Sequence, residues 1–193
     1  QAAILSLVFW LAGISVPVMR AAFIALGIAP IIFTYLFAKR FLDFPTAFLA
    51  AFFFAQDPTY IFSARSDNGP VLVMLICKLG ALYFFTLWWQ KSRIISLILG
   101  AFLCGVGLYD KLNFAWFIAA CALAVGIFYG QEVWQKAAAF KRGKVFIPLA
   151  FFCLGASPQI AYLVMTGGKL LRDLIGLLTT ETPFGITNAN FLP

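Results

Sequence analysis

The chain has 193 residues, of which 63% are hydrophobic and 11% charged, and its mean hydropathy is +0.97. Soluble domains carry about a quarter charged residues, so a soluble globular enzyme or a disordered tail is excluded and a bilayer is the expected solvent. The 14 Lys+Arg against 7 Asp+Glu give a formal net charge of +7, and His is absent, which removes imidazole bases, His-ligated metals and imidazole triads from consideration.

A spanning helix needs about 20 mostly apolar residues. Residues 1–11 are apolar but short, and Gly13 follows them, as for an interfacial helix or the remnant of a span. Residues 16–38 make the first full span, with Arg20 near its start and Lys39-Arg40 after it. Residues 45–61 predict a second, rich in Phe and closed by the polar run 63–68. Residues 70–89 predict a third, opened by Pro70 and ended by Trp88-Trp89 with Lys91 and Arg93 as an interfacial anchor. Residues 94–108 form a short apolar stretch with Gly100, Gly105 and Gly107, suited to close helix packing. After Tyr109-Asp110-Lys111, residues 112–129 predict a further span, and 132–144 an amphipathic surface segment. Residues 145–164 predict the last span, with Pro148 and Pro158 tolerated inside it. The expected fold is therefore all-α: a polytopic transmembrane helical bundle of about six spans plus interfacial helices. Residues 1–166 form its membrane domain and 167–193 an outer-face polar tail. Cys77, Cys104, Cys121 and Cys153 lie within apolar stretches and read as small buried residues, without disulfide or metal spacing.

The basic residues fall in short clusters between apolar runs, which sets membrane orientation and gives no nucleic-acid face. With the loops at 39–43, 90–93 and 130–144 on the cytoplasmic side, Lys39, Arg40, Lys91, Arg93, Lys136, Lys141, Arg142 and Lys144 gather there. Asp57, Asp67, Asp110, Asp173 and Glu181 then fall on the opposite face, lumenal or periplasmic, where chemistry is expected. That places the protein as a multi-pass integral protein of a bacterial inner membrane or endoplasmic-reticulum type.

On that face, the stretch from Ser63 through Arg65, Asp67, Asn68 and Pro70 combines a cation, a carboxylate, an amide and hydroxyls. Arg65 suits a phosphate, and Asp67 and Asn68 suit sugar hydroxyls or a divalent metal. The same acid or amide equally suits capping of the helix that follows Pro70. Lys111 can meet a lipid phosphate as a point charge or serve as an interfacial anchor beside Tyr109. Lys78 is an intramembrane charge, which calls for a cavity, a partner or snorkelling. Arg20 sits at the outer end of its span, near the same face.

The order of these features resembles a known family. The run Leu11, Gly13, Ser15, Met19, Arg20, then Tyr35 and Lys39-Arg40-Phe41, is similar to a stretch of the membrane glycosyltransferases with the C-type fold, which include the dolichyl-phosphate-mannose protein mannosyltransferase-like and aminoarabinose-transferase-like enzymes. Pro58, Tyr60, Arg65 and Asp67 fall in order for the next segment, and Gly100, Gly105, Gly107 and Lys111 for a third. The resemblance covers roughly residues 2–129 and rests on the order of three motifs.

It implies sugar transfer from a polyprenyl-phosphate donor on the outer face, with the lipid bilayer and the lipid-linked sugar as partners. Asp67 then falls at the second outer-face acid, as the catalytic residue, and Lys111 at the lysine contacting polyprenyl phosphate. Arg65, Asn68 and Arg20 complete the substrate-binding set. The family's first acidic loop would precede Gln1, and the chain is expected to be a portion of a longer protein. Two alternatives stay open: a non-catalytic membrane subunit packed with protein partners in a larger complex, and a transporter or flippase for a lipid-linked sugar, argued from Lys78.

Overall fold

The computed structural model describes residues 2–65, 71–138 and 146–167. Among them are nine helices and no strand: α1 (Ala2–Ala12), α2 (Val16–Ala38), α3 (Phe44–Gln56), α4 (Pro58–Arg65), α5 (Val71–Lys91), α6 (Ile94–Asp110), α7 (Phe114–Ala138), α8 (Phe146–Gly155) and α9 (Ser157–Met165). The chain divides into two compact units, residues 1–157 and 158–193.

Local chemistry sets the helix ends. Gly13 takes a left-handed φ of +81°, open to glycine without cost, and its N–H closes α1 on the Phe9 carbonyl at 2.9 Å. Ser15 is extended, and its hydroxyl accepts the Val18 N–H at 3.4 Å. Pro17 fills the first turn of α2, where a missing N–H is harmless.

Helix α2 has the bounds expected for the first span, and its 23 residues reach about 34 Å against a roughly 30 Å hydrocarbon core. By length and apolarity α2, α5 and the Phe114–Val133 part of α7 can cross a membrane; counting α8 and α9 together as one broken span gives four. The expected number of about six is not reached among the described residues, and three differences account for it.

Residues 45–61 are not one helix. Asp57 stands extended (φ −60°, ψ 122°) between α3 and α4. Pro58 disfavours the helical region for the residue before it, and the Asp57 carboxylate accepts the Tyr60 N–H at 2.7 Å, starting α4 afresh. Residues 145–164 likewise divide, α8 ending at Gly155 and α9 starting at Ser157, next to Pro158. Finally, α6 runs on to Asp110 but has only 17 residues, about 25 Å.

Two apolar clusters hold the first unit together. One gathers Phe23, Tyr60 and Leu72 with Leu5, Met19 and Phe54. The other gathers Val73, Cys77, Ala81, Cys104 and Phe114 with Leu103, Phe117 and Phe152. The glycines of α6 do what their spacing suggests. A Cβ on Gly105 would strike the Phe152 carbonyl and meet the Ala156 nitrogen at 2.9 Å, and a Cβ on Gly155 would lie 2.5 Å from the Phe102 carbonyl. Main chain therefore touches main chain where α6 crosses α8. Of the cysteines, Cys77 and Cys104 are buried as expected, while Cys121 is half-buried and Cys153 exposed on α8. Outward faces are apolar, as lipid requires: Trp10, Leu11, Trp116, Ile127 and Phe128 are all exposed.

Candidate functional site

Contacts along the helices give their directions. Phe23 of α2 packs with Leu72 near the start of α5, and Phe33 meets Tyr83 and Phe84 further along (ring centroids 6.1 Å in both pairs), so α2 and α5 run parallel. Leu103 faces Gly80 and Phe85 faces Gly100, so α6 returns antiparallel. Helix α7 runs back beside α5: Lys78 faces Phe117 near its start, and Trp89 meets Tyr129 near its far end.

These directions sort the charges. One end of the bundle carries Arg20 in the second turn of α2, the C-terminal Arg65 of α4, the start of α5, and Asp110 and Lys111 at the close of α6. The other carries Lys39, Arg40, Lys91, Arg93 and Lys136. At the second end two of the cations are engaged within the protein. Arg40 donates to the Tyr83 hydroxyl at 3.3 Å and lies 5.5 Å from that ring's centre. Lys136 donates to the Trp89 carbonyl at 2.6 Å, with its ammonium 4.1 Å from the indole centre, so it caps the last turn of α5. The basic segments 90–93 and 130–138 thus lie at the same end.

At the first end Arg20 and Arg65 are exposed, as a group that meets a ligand needs to be. Arg65 lies on the rim of an open groove of about 280 Å³ between α2 and α4, lined by Ile24, Gly27, Ile28, Ile31, Tyr60, Ile61 and Ala64. Arg20 is on the same face of α2, one turn before Ile24. Tyr60 is buried, and its hydroxyl donates to the Gly27 carbonyl inside α2, which fixes α4 against that helix. Gly27 permits the approach: a Cβ there would meet Ala64 Cβ at 3.3 Å.

Lys111 is half-buried with an extended backbone (φ −153°, ψ 123°), and its N–H ends α6 on the Gly107 carbonyl at 3.1 Å. Beside it, one carboxylate oxygen of Asp110 is buried. Lys78 sits in the first half of α5, its ammonium 5.8 Å from the Phe117 ring centre, so this cation has an aromatic partner on α7.

Of the residues picked from sequence, Arg20, Arg65 and Lys111 share one end, and Lys78 is set deeper on that half of the bundle. Asp67 and Asn68 lie outside the described residues. Among the described residues no group of three His, Cys, Asp or Glu side chains is placed to hold a metal. Sequence reasoning missed the roles of Asp57 and Tyr60 in building the groove. The Asp-Pro pair followed by Tyr was the available signal for a new helix start.

No curated protein and no solved structure matches the chain. A family model does, over residues 1–171, and it covers every element from α1 to α9. The chain belongs to the dolichyl-phosphate-mannose-protein mannosyltransferase family.

Proposed function

We propose that this protein transfers a sugar from a polyprenyl-phosphate donor to an acceptor at the end of the bundle that carries Arg20, Arg65 and Lys111, and that this end faces the lumen or periplasm. The observation that supports the reading is that these three cations lie at the same end of the bundle, with an apolar groove beside Arg65. Glycosyl transfer breaks the bond between the anomeric carbon and the phosphate oxygen and forms one to the acceptor oxygen. The leaving phosphate keeps the bonding electrons and needs cations, which Arg65 as a bidentate donor and Lys111 as a point charge supply. The acceptor must surrender a proton, and Asp67 is the carboxylate assigned to take it or to orient the acceptor or a metal.

The same reading takes α3 with α4, and α6, as shortened crossings, giving about six spans, and places residues 167–193 as a tail on the active face. Asp67→Asn in the membrane-extracted protein is expected to cut transfer by about 100-fold or more while expression and thermal unfolding stay unchanged. Undiminished turnover in that variant would sink the reading.

A further inference from the structure

At the end of the bundle opposite Arg20 and Arg65, the cations are held by neutral groups. Lys39 has its ammonium 5.5 Å from the Tyr35 ring centre and 6.0 Å from that of Phe44. Arg40 rests on Tyr83, and Lys136 on the ring and carbonyl of Trp89. A ring or a carbonyl fixes a cation in place but does not cancel its charge, as a carboxylate does. The turn from α5 to α6 adds Lys91 and Arg93, both exposed. Among the described residues the acids at this end are Asp43 and Glu132, so cations outnumber carboxylates there.

The neighbours of these cations set the depth at which they work. Phe41, Phe44 and Tyr129 are exposed beside them. Exposed aromatic side chains among lysines and arginines match the level of a bilayer where phosphate and glycerol groups begin. Helices α2 and α5, each long and apolar enough to cross a membrane, both end here, which marks the same level.

We infer that this end of the bundle binds the headgroups of anionic phospholipids, with Lys91 and Arg93 meeting the phosphate and the ring-braced Lys39, Arg40 and Lys136 supplying the field around it. Charge is what separates this partner from lipid in general, since a net-neutral phosphatidylcholine offers the same tails and the same phosphate. The inference needs only that this end lies at a membrane surface, and it stands apart from the sugar-transfer reading and from the side that the end faces.

The test uses the full-length protein reconstituted in phosphatidylcholine vesicles at low salt. Spin-labelled phosphatidylglycerol and spin-labelled phosphatidylcholine are added in turn, and the fraction of each that the protein immobilises gives their relative affinity. Phosphatidylglycerol is expected to be preferred by about tenfold, and less so at about 1 M salt, where the screening length falls to about 3 Å. Lys91→Gln with Arg93→Gln removes two exposed charges and no buried contact, and is expected to cut the preference by about fivefold. Arg20→Gln with Lys111→Gln removes the same charge from the other end and is expected to leave most of it.

Equal retention of the two lipids by wild type would overturn the inference. So would an equal loss from the two pairs of substitutions, since net charge alone would then set the preference. Tighter binding of soluble poly-glutamate than of phosphatidylglycerol, lost in the Lys91→Gln, Arg93→Gln protein, would assign this end to an acidic protein segment and also overturn it.

Discussion

Tyr60 shows how one side chain organises the site. Its ring packs on Phe54 with centroids 4.5 Å apart, its hydroxyl binds the Gly27 carbonyl, and its N–H is capped by Asp57. Tyr60→Phe removes only the hydroxyl bond and is expected to cost about 1 kcal/mol of stability, measurable by reversible unfolding in mixed micelles. Asp57→Ala removes the cap of α4 and should cost a similar amount. Both roles depend on a helix break inside an apolar run, for which Asp57-Pro58 is a local signal, while the Gly27 partner of Tyr60 is set by the fold. The placement of Arg20, Arg65 and Lys111 at one end of the bundle, in contrast, is legible: a charge at the edge of an apolar stretch has few places to go. Lys78 draws attention for the same reason, yet its partner Phe117 is separated from it by 39 positions and cannot be read from spacing.

Helices follow the same division. The bounds of residues 16–38 are legible because Ser15 with Pro17 at one end and Lys39-Arg40 at the other are local signals. Residues 45–61 and 145–164 each read through a break, since proline inside a membrane helix is compatible with either outcome. What decides between them is whether the preceding residue finds a capping role, as Asp57 does. The glycines of α6 read as packing positions, but their partners are visible only in three dimensions. Gly105 abuts α8 backbone, whereas a Cβ added to Gly126 of α7 would have nothing within 4 Å. Gly105→Ala is therefore expected to destabilise by about 1–3 kcal/mol through overpacking, and Gly126→Ala to be neutral or slightly stabilising. Thermal unfolding of the two variants side by side checks the contrast, because the chemical change is identical.

Across the whole molecule, the parallel course of α2, α5 and α7 gathers Lys39, Arg40, Lys91, Arg93 and Lys136 at one end and Arg20, Arg65 and Lys111 at the other. The orientation proposed above, which follows the positive-inside rule, has the first group in the cytoplasm. A membrane-impermeant maleimide should then label Ser92→Cys only after the cytoplasmic side is opened, and Asn113→Cys without opening it; the reverse pattern would invert the protein. Along this axis α7 is held unevenly. Its first turn is locked by Phe114, which is fully buried, and its far end by Tyr129 and Lys136 on Trp89. Between them 6% of the most apolar stretch is buried among the described residues. Tyr129 itself leaves helical geometry (φ −134°, ψ 15°). A helix held at both ends, with little protein against its middle among the described residues, is expected to answer to the thickness of its membrane, meeting a thinner or thicker bilayer by tilt or by bending at the non-helical Tyr129.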